Sequence, residues 1–87
     1  MRIHKYKLDF LDRQEVELPL GAQVLSVQLQ DGKACLWAMI DEFVSETDTL
    51  VLRMFHTGEP AERCSRHLAT LQHEVNGEPW VVHVFEE

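Results

Sequence analysis

Apolar and polar side chains alternate every second residue along most of the chain, and short turn sequences interrupt the alternation. This period is typical of β-strands, whereas the spacing of an amphipathic helix is scarce. We therefore predict a mostly β protein, a compact antiparallel sheet or a small sandwich or barrel of about six or seven strands with at most one short helix. The predicted strands cover residues 2–8, 13–18, 22–30, 33–41, 49–55, 66–75 and 78–85. In the first strand we expect Ile3, Tyr6 and Leu8 to be the apolar anchors.

The strongest local signal is Asp31-Gly32, which lies between two alternating segments. Both central residues of a type I′ hairpin turn need positive φ, and this dipeptide fits that turn best. Counting outward from it pairs Gln30 with Lys33 and, five steps on, Leu25 with Ala38. One face of the hairpin is then wholly apolar, and we predict that it faces the core. It carries Leu25, Val27, Leu29, Ala34, Leu36, Ala38 and Ile40.

The opposite face of this hairpin mixes polar and apolar side chains. It carries Ser26, Gln28, Gln30, Lys33, Cys35, Trp37 and Met39. Around Trp37 and Met39 this face is too apolar to be left fully in water, yet it is too polar to be a core. We therefore expect something to cover it, either a ligand in a pocket or a second chain. The predicted interface consists of Ser26, Cys35, Trp37 and Met39.

A second hairpin is predicted at Asn76-Gly77, with Val75 opposite Glu78 and Ala69 opposite Val84. The reverse side of this hairpin carries Leu68, Thr70, Gln72, Val81, His83 and Phe85. Residues 61–73 also permit a helix, but the β-rich segment after Asn-Gly favours a strand.

One helical turn is possible over residues 61–65, close behind Pro60, because Glu and Arg are good helix formers.

Length and charge limit the functional classes. A chain of 87 residues forms one domain with a modest core, so oligomerisation is expected to help stabilise it. Fifteen acidic against eight basic residues give a net charge of −7, which disfavours a general affinity for nucleic acid polymers or anionic membranes. No apolar run is long enough to span a bilayer, and the first residues are too polar for a secretory signal. We therefore expect a cytoplasmic protein.

The cysteines and acidic pairs carry no recognisable chemistry. Cys35 and Cys64 lack the spacing of a zinc site, so we expect no metal. A single disulfide stays open, but a buried free thiol is favoured, since Cys35 lies inside an apolar run and a cytoplasmic chain keeps its thiols reduced. The carboxylate pairs are expected to be solvated because they lie in turns or at the chain end. Nucleophile elbows and glycine-rich phosphate loops are missing from the sequence. We therefore predict a protein that is not an enzyme and needs no cofactor.

Two histidines stand out. His83 alternates with valines in an apolar strand, so it is either a hydrogen-bonded core or interface residue or a donor to a ligand. His56 opens the segment His56-Thr57-Gly58-Glu59-Pro60, which is either a plain turn or a loop whose imidazole, hydroxyl and amide groups hold a small anion.

Half of the basic residues fall in the first thirteen positions, namely Arg2, Lys5, Lys7 and Arg13. If the first strand is an edge, these charges protect it against edge-to-edge pairing; if it lines a groove, they form a basic pocket for an anion.

Several short segments, in order, resemble a small family of domains of unknown function that is common in phages and prophages. They are Lys5-Tyr6-Lys7-Leu8, Glu17-Leu18-Pro19, Gly21-Ala22, Leu25-Ser26-Val27-Gln28, Cys35-Leu36-Trp37-Ala38, Phe55-His56-Thr57-Gly58, Pro60 and His83-Val84-Phe85-Glu86. The family pattern has Gly-Thr-Gly-His-Pro where this chain has residues 56–60, so it departs at the first Gly and at the His. The resemblance implies a phage-like origin and a compact β fold, and it brings no catalytic residues.

Three functions remain open. The first is a homo-oligomeric binding module without enzymatic activity that counteracts host defence by sequestering a small signalling nucleotide. The second is a structural or protein-interaction accessory protein, such as a virion component or a direct inhibitor of a host enzyme. The third, a small hydrolase or lyase, rests only on His56 near Glu59 and on His83. The predicted ligand-binding residues are Arg2, Lys7, Gln28, Trp37, His56, Thr57, Gly58 and His83.

Overall fold

The computed structural model describes residues 1–61, 63, 64 and 66–87, which form seven β-strands and no helix. The strands are β1 (Arg2–Lys7), β2 (Arg13–Pro19), β3 (Gln23–Gln30), β4 (Lys33–Ile40), β5 (Thr47–His56), β6 (Arg66–Val75) and β7 (Glu78–Glu86). The predicted all-β fold class is confirmed. The alternative helix over residues 61–73 is wrong, because most of that segment belongs to β6. The helical turn predicted over residues 61–65 includes 62 and 65, which lie outside the described residues.

The strands form two antiparallel sheets. One has three strands in the order β1-β4-β3, and the other has four in the order β2-β5-β7-β6. Both sheets contribute side chains to one core, as in a β-sandwich, and the Cα atoms span only 15 Å in the thinnest direction. The buried core residues are Leu8, Val27, Ala34, Leu36, Ala38, Ile40, Leu52, Met54, Leu71, Val82 and Val84.

The two predicted hairpins form with the expected turn geometry. Asp31 and Gly32 have φ of 52° and 75°, and Asn76 and Gly77 have φ of 51° and 80°. Positive φ at both central positions is the mark of a type I′ turn, whose twist matches that of the flanking strands. The turns therefore fix the register of β3 with β4 and of β6 with β7.

The pairing predicted for Leu25 with Ala38 is wrong because β3 contains a bulge. Ser26 pairs with Trp37 as expected, but the next residue to pair is Val24, opposite Ala38. Leu25 is the extra residue of the bulge, and its 44% exposure places it outside the core. Val24 packs against the core in its place.

A second bulge corrects the predicted face of Leu68. His67 pairs with Phe85 and Ala69 pairs with Val84, which leaves Leu68 as the extra residue. Leu68 packs against the core instead of sharing the outer face with Thr70. His67 takes the outer position opposite Phe85. The bulge thus brings a histidine to a face where the sequence predicted a leucine.

In β1 the predicted anchors separate into two groups. Leu8 is buried and Tyr6 packs against the core, opposite Leu36. Ile3 is not an anchor, since it pairs with Met39 on the outer side and is 62% exposed. The cause is strand geometry, because residues three apart in a strand point to opposite faces.

Candidate functional site

All three lysines of the chain lie on the outer face of the three-stranded sheet. Alternate residues of β4 are buried in the core, so the residues between them point outward. Register places Lys7 beside Cys35 and Lys5 beside Trp37. We call this surface the lysine–tryptophan face. It is formed by Ile3, Lys5, Lys7, Gln23, Ser26, Gln28, Gln30, Lys33, Cys35, Trp37 and Met39.

The chain covers part of this face itself. Lys5 Nζ donates a hydrogen bond of 2.8 Å to Gln30 Oε1. Because β4 lies between β1 and β3, this bond reaches across β4, and register places Cys35 between its two ends. Cys35 points outward yet is only 3% exposed. The Lys5–Gln30 hydrogen bond and the aliphatic part of the Lys5 side chain therefore account for the burial of Cys35. The Cys35 thiol forms no disulfide, as predicted.

Trp37 lies at the centre of the face and is half-buried. Lys7 is one strand across and two residues along from Trp37, which corresponds to about 8 Å between their Cα atoms. Lys33 is four residues along the same strand, or about 13 Å away. Gln28 is level with Lys7 on the other side of β4, and its amide donates to Ser26 Oγ at 2.8 Å. The amide of Gln28 and the ammonium group of Lys7 therefore flank Cys35, two residues along β4 from the indole.

The electrostatics of this face differ from those of the whole chain. Strands β1, β3 and β4 carry four basic residues and no acidic residue, although the chain has a net charge of −7. None of the three lysines forms an ion pair with a described residue. Free ammonium groups without nearby partners attract anions more effectively than neutralised ones. The face is thus a local basic surface on an acidic protein.

Arg2 does not join the other predicted ligand-binding residues. It pairs with Ile40, on the side of the sheet that faces the core, and its guanidinium forms an ion pair with Glu42. The predicted group of Arg2, Lys7 and Trp37 is therefore split between the two sides of the sheet.

Thr57 and His83 lie on the outer face of the four-stranded sheet, in a chain of hydrogen bonds. Thr57 Oγ1 is 2.8 Å from His83 Nε2, and His83 Nδ1 is 3.1 Å from Thr70 Oγ1. Thr70 Oγ1 is in turn 3.0 Å from His67 Nε2. We call these four residues the histidine–threonine chain. The single predicted set of ligand-binding residues is therefore divided, with Lys7 and Trp37 on one sheet and Thr57 and His83 on the other.

The loop after β5 forms a tight turn. Glu59 N–H donates to His56 O at 3.1 Å, and Gly58 has a φ of 91°. The Glu59 carboxylate accepts the His56 N–H at 2.9 Å, and the His56 ring packs edge-on against Trp80. The Glu59 side chain therefore occupies the place that an anion would take at this backbone amide.

A family model matches residues 1–87, the whole chain, and its description is a domain of unknown function, DUF7352. The chain belongs to the DUF7352 family. No curated protein and no solved structure matches it. In the part of the DUF7352 chain that the structure describes, there is no helix of the length and apolarity that crossing a membrane requires.

One groove of the DUF7352 chain is lined mainly by residues outside these two surfaces. It encloses about 540 Å³ between the β2–β3 turn, the start of β5 and the ends of β6 and β7. Its walls combine apolar residues with three carboxylates, Asp48, Glu86 and Glu87, against one guanidinium, that of Arg66. The excess of carboxylates over guanidinium groups in these walls disfavours an anionic ligand. The groove is lined by Leu18, Pro19, Gly21, Ala22, Gln23, Val24, Asp48, Thr49, Leu50, Val51, Arg66, Glu86 and Glu87.

The predicted ligand-binding residues omit four residues of these two surfaces. Lys5 and Lys33 belong to the lysine–tryptophan face; the Asp-Gly register already placed Lys33 there, and the alternation of β1 could have added Lys5. His67 and Thr70 belong to the histidine–threonine chain, and a bulge that no residue type marks brings His67 there. Among residues 1–61, 63, 64 and 66–87, no group of three or more His, Cys, Asp or Glu side chains is arranged to hold a metal ion.

Proposed function

We propose that this DUF7352 protein is a binding module without enzymatic activity, whose lysine–tryptophan face takes a small anionic ligand of the nucleotide class. The resemblance to a phage and prophage family supports a biological setting: a phage-encoded protein in the host cytoplasm that counteracts defence by sequestering a signalling nucleotide. The observation that carries the proposal is the charge of the face. Three lysines without ion pairs share one face with a tryptophan, in strands that lack any carboxylate.

The chemistry of the face suits the two ends of a nucleotide. A base stacks on an indole, and ammonium groups neutralise a phosphate. Lys7 is about 8 Å from Trp37 between Cα atoms, which lets its flexible side chain meet a phosphate attached to a base that stacks on the indole. Amide groups such as that of Gln28 can recognise the edge of the base.

The small extent of the face supports a small ligand. Lys5 is already held by Gln30 over Cys35, so the available ammonium groups are mainly Lys7 and Lys33. Two charges neutralise one or two phosphates. The rest of the chain, with fifteen acidic residues, would repel a long polyanion that extended past the face.

Isothermal titration calorimetry with cyclic AMP, cyclic GMP, cyclic di-AMP and cyclic di-GMP tests the proposal. We expect at least one of them to bind the natural chain. The double variant Lys7→Glu/Lys33→Glu should weaken that binding by about tenfold or more, because it removes both available cations. Trp37→Ala should weaken it as well, because the stacking surface is lost.

The matched control is Arg63→Glu, which reverses one charge at an exposed residue outside both surfaces. It should bind the nucleotide as the natural chain does. The proposal would be rejected if none of the four nucleotides bound. It would also be rejected if Arg63→Glu weakened nucleotide binding as much as Lys7→Glu alone.

A second candidate function, a protein-interaction accessory protein, is favoured by Phe43. Its side chain is 88% exposed, and its backbone is fixed because Asp41 Oδ1 accepts the Phe43 N–H at 3.0 Å. Met1 and Ile3, at 72% and 62% exposure, are further apolar residues of the three-stranded sheet and its start. Exposed apolar groups of this size often mark contacts with another protein, here a host protein or a second copy.

Sedimentation velocity over a range of protein concentrations separates the candidates. Self-association that Phe43→Ser abolishes, while nucleotide binding is unchanged, would assign the Phe43 region to an interface between copies. A chain that stays monomeric at every concentration would contradict the expected homo-oligomer.

A further inference from the structure

We propose that the Thr57 hydroxyl is a reactive nucleophile, with His83 as its general base and Thr70 as the positioning residue. The substrate class is an activated acyl ester. The reaction is a single acylation of the chain itself, without turnover, so it is compatible with a module that is not an enzyme. It lies on the four-stranded sheet and is independent of the nucleotide-binding function proposed for the other sheet.

The turn after β5 holds Thr57 in one place. Thr57 is the first central residue of the turn that the Glu59 N–H to His56 O bond closes at 3.1 Å, and Gly58 supplies the positive φ that the second central position needs. The Glu59 carboxylate adds a second bond, 2.9 Å from the His56 amide nitrogen. The exposed hydroxyl of Thr57 is thus presented from a backbone that is fixed on both sides.

The imidazole beside it is oriented by a third group. His83 Nε2 lies 2.8 Å from Thr57 Oγ1, and His83 Nδ1 lies 3.1 Å from Thr70 Oγ1. A nucleophile, a base within hydrogen-bond reach and a group that orients the base are the arrangement by which hydroxyl nucleophiles are activated. The orienting group here is a hydroxyl, which holds the ring by a hydrogen bond without supplying a negative charge.

Proton counting shows that the reactive tautomer satisfies every member of the chain. With the proton of neutral His83 on Nδ1, that N–H donates to Thr70 Oγ1, and the Thr70 hydroxyl donates to His67 Nε2. His83 Nε2 is then free to accept the Thr57 proton. In this tautomer His67 is the terminal acceptor of the chain, and the unprotonated Nε2 of His83 faces Thr57.

Aromatic packing holds the far end of the chain rigid. The His67 ring meets Phe85 edge-on at 5.1 Å between centroids, and Phe85 meets the buried Phe55 at 6.0 Å. A fixed His67 fixes the Thr70 hydroxyl, and through it the ring of His83. Preorganised hydrogen bonds of this kind reduce the rearrangement that a reaction needs.

The reaction with p-nitrophenyl acetate is written as follows. Thr57 Oγ1 forms a bond to the acetyl carbonyl carbon as its proton passes to His83 Nε2. The bond between that carbon and the phenolic oxygen breaks, and p-nitrophenolate leaves with the electron pair. The imidazolium then releases its proton to solvent, and the products are acetylated Thr57 and p-nitrophenolate.

Peptide mass spectrometry after treatment with p-nitrophenyl acetate measures acetylation at each hydroxyl. Thr47, an exposed threonine at the start of β5, is the internal control in the same molecule. General-base assistance contributes about 10²–10⁴-fold in enzymes. We expect acetylation of Thr57 to be about tenfold or more faster than that of Thr47, and His83→Gln to reduce it to the rate of Thr47.

Thr70→Val and Thr70→Ser separate a positioning role from a merely structural one. The valine variant should slow acetylation of Thr57, and the serine variant should restore it, since it returns the hydroxyl. The proposal is overturned if Thr57 reacts no faster than Thr47, if His83→Gln leaves its rate unchanged, or if Thr70→Ser is as slow as Thr70→Val. Thermal unfolding of each variant verifies that it is folded.

Discussion

The two sheets of the molecule share one core but differ in the charges that their strands carry. Strands of the three-stranded sheet hold four basic residues and no acidic residue, whereas strands of the four-stranded sheet hold three arginines and six acidic residues. Two of these three arginines form ion pairs, Arg13 with Glu15 and Glu87 and Arg53 with Glu87. The net charge of −7 is therefore distributed unevenly, because the strands of one sheet carry only basic charges.

The difference also concerns the kind of polar group. The outer face of the first sheet carries lysines without ion pairs beside an indole, and that of the second carries imidazole and hydroxyl groups that are hydrogen-bonded to each other. Charged groups without partners favour the binding of an ion, while a continuous hydrogen-bonded chain favours the movement of a proton. Composition alone could not separate these two surfaces.

The largest expected effect comes from the core that the sheets share. Leu36 belongs to the three-stranded sheet and Leu52 to the four-stranded sheet, and both are fully buried. Leu36→Ala and Leu52→Ala should each lower the free energy of unfolding by about 2–5 kcal/mol, since each removes buried methyl groups and leaves a cavity. Urea denaturation followed by circular dichroism measures both.

The control is Leu25→Ala, at the bulge residue that is 44% exposed. It should cost less than about 1 kcal/mol because little buried surface is lost. If only one of the two buried leucines proved costly, the sheets would have separate stabilities and the shared core would be refuted.

The second-largest expected effect is on ligand binding, and it tests the difference in charge between the two sheets. The affinity for a nucleotide should fall severalfold when the sodium chloride concentration rises from about 0.05 M to about 0.5 M, because the lysines are exposed and salt screens them. Calorimetry at the two concentrations measures this. An affinity that does not depend on salt would mean that the lysines are not the phosphate-binding groups.

Much of the fold could be predicted because short sequence segments determine its turns and strand register. Asp31-Gly32 and Asn76-Gly77 specify their turns within two residues, and each turn sets the register of its hairpin. The bulges at Leu25 and Leu68 could not be predicted, because neither segment contains a glycine or another marker and the extra residue is selected by packing between the sheets.

The candidate sites could be predicted only in part, because they depend on contacts between distant residues. Thr57 and His83 are 26 residues apart, and Lys5 and Gln30 are 25 residues apart. Alternation places each side chain on a face of its own strand, but it does not say which strands are neighbours. For this reason the predicted group of ligand-binding residues was divided between two sheets.

The third-largest expected effect is the loss of stability when a glycine of either hairpin turn is replaced. Gly32→Ala and Gly77→Ala should each destabilise the protein by about 1 kcal/mol, because alanine is strained at positive φ. A Cβ at Gly32 would lie 3.6 Å from the His73 ring, an ordinary contact, so the two costs should be similar. Thermal unfolding measures them. A much larger cost at Gly32 would show that its turn is packed more tightly than the structure indicates.

The smallest effect is expected at the ion pair between Arg2 and Glu42. The two side chains are 66% and 33% exposed, so solvent and side-chain entropy offset most of the attraction. Glu42→Gln should change the free energy of unfolding by less than about 1 kcal/mol in urea denaturation. A larger loss would mean that this pair anchors the edge strand β1.

The most direct test of the central claim uses the two tryptophans, one on each sheet. Trp37 lies on the lysine–tryptophan face, while Trp80 packs against the core and Phe10. Two-dimensional ¹H–¹⁵N NMR during titration with the cyclic nucleotide that binds best in calorimetry follows both indole N–H signals. The account predicts that the Trp37 signal shifts progressively and that the Trp80 signal stays in place; a shift of Trp80 alone, or of neither, would contradict it.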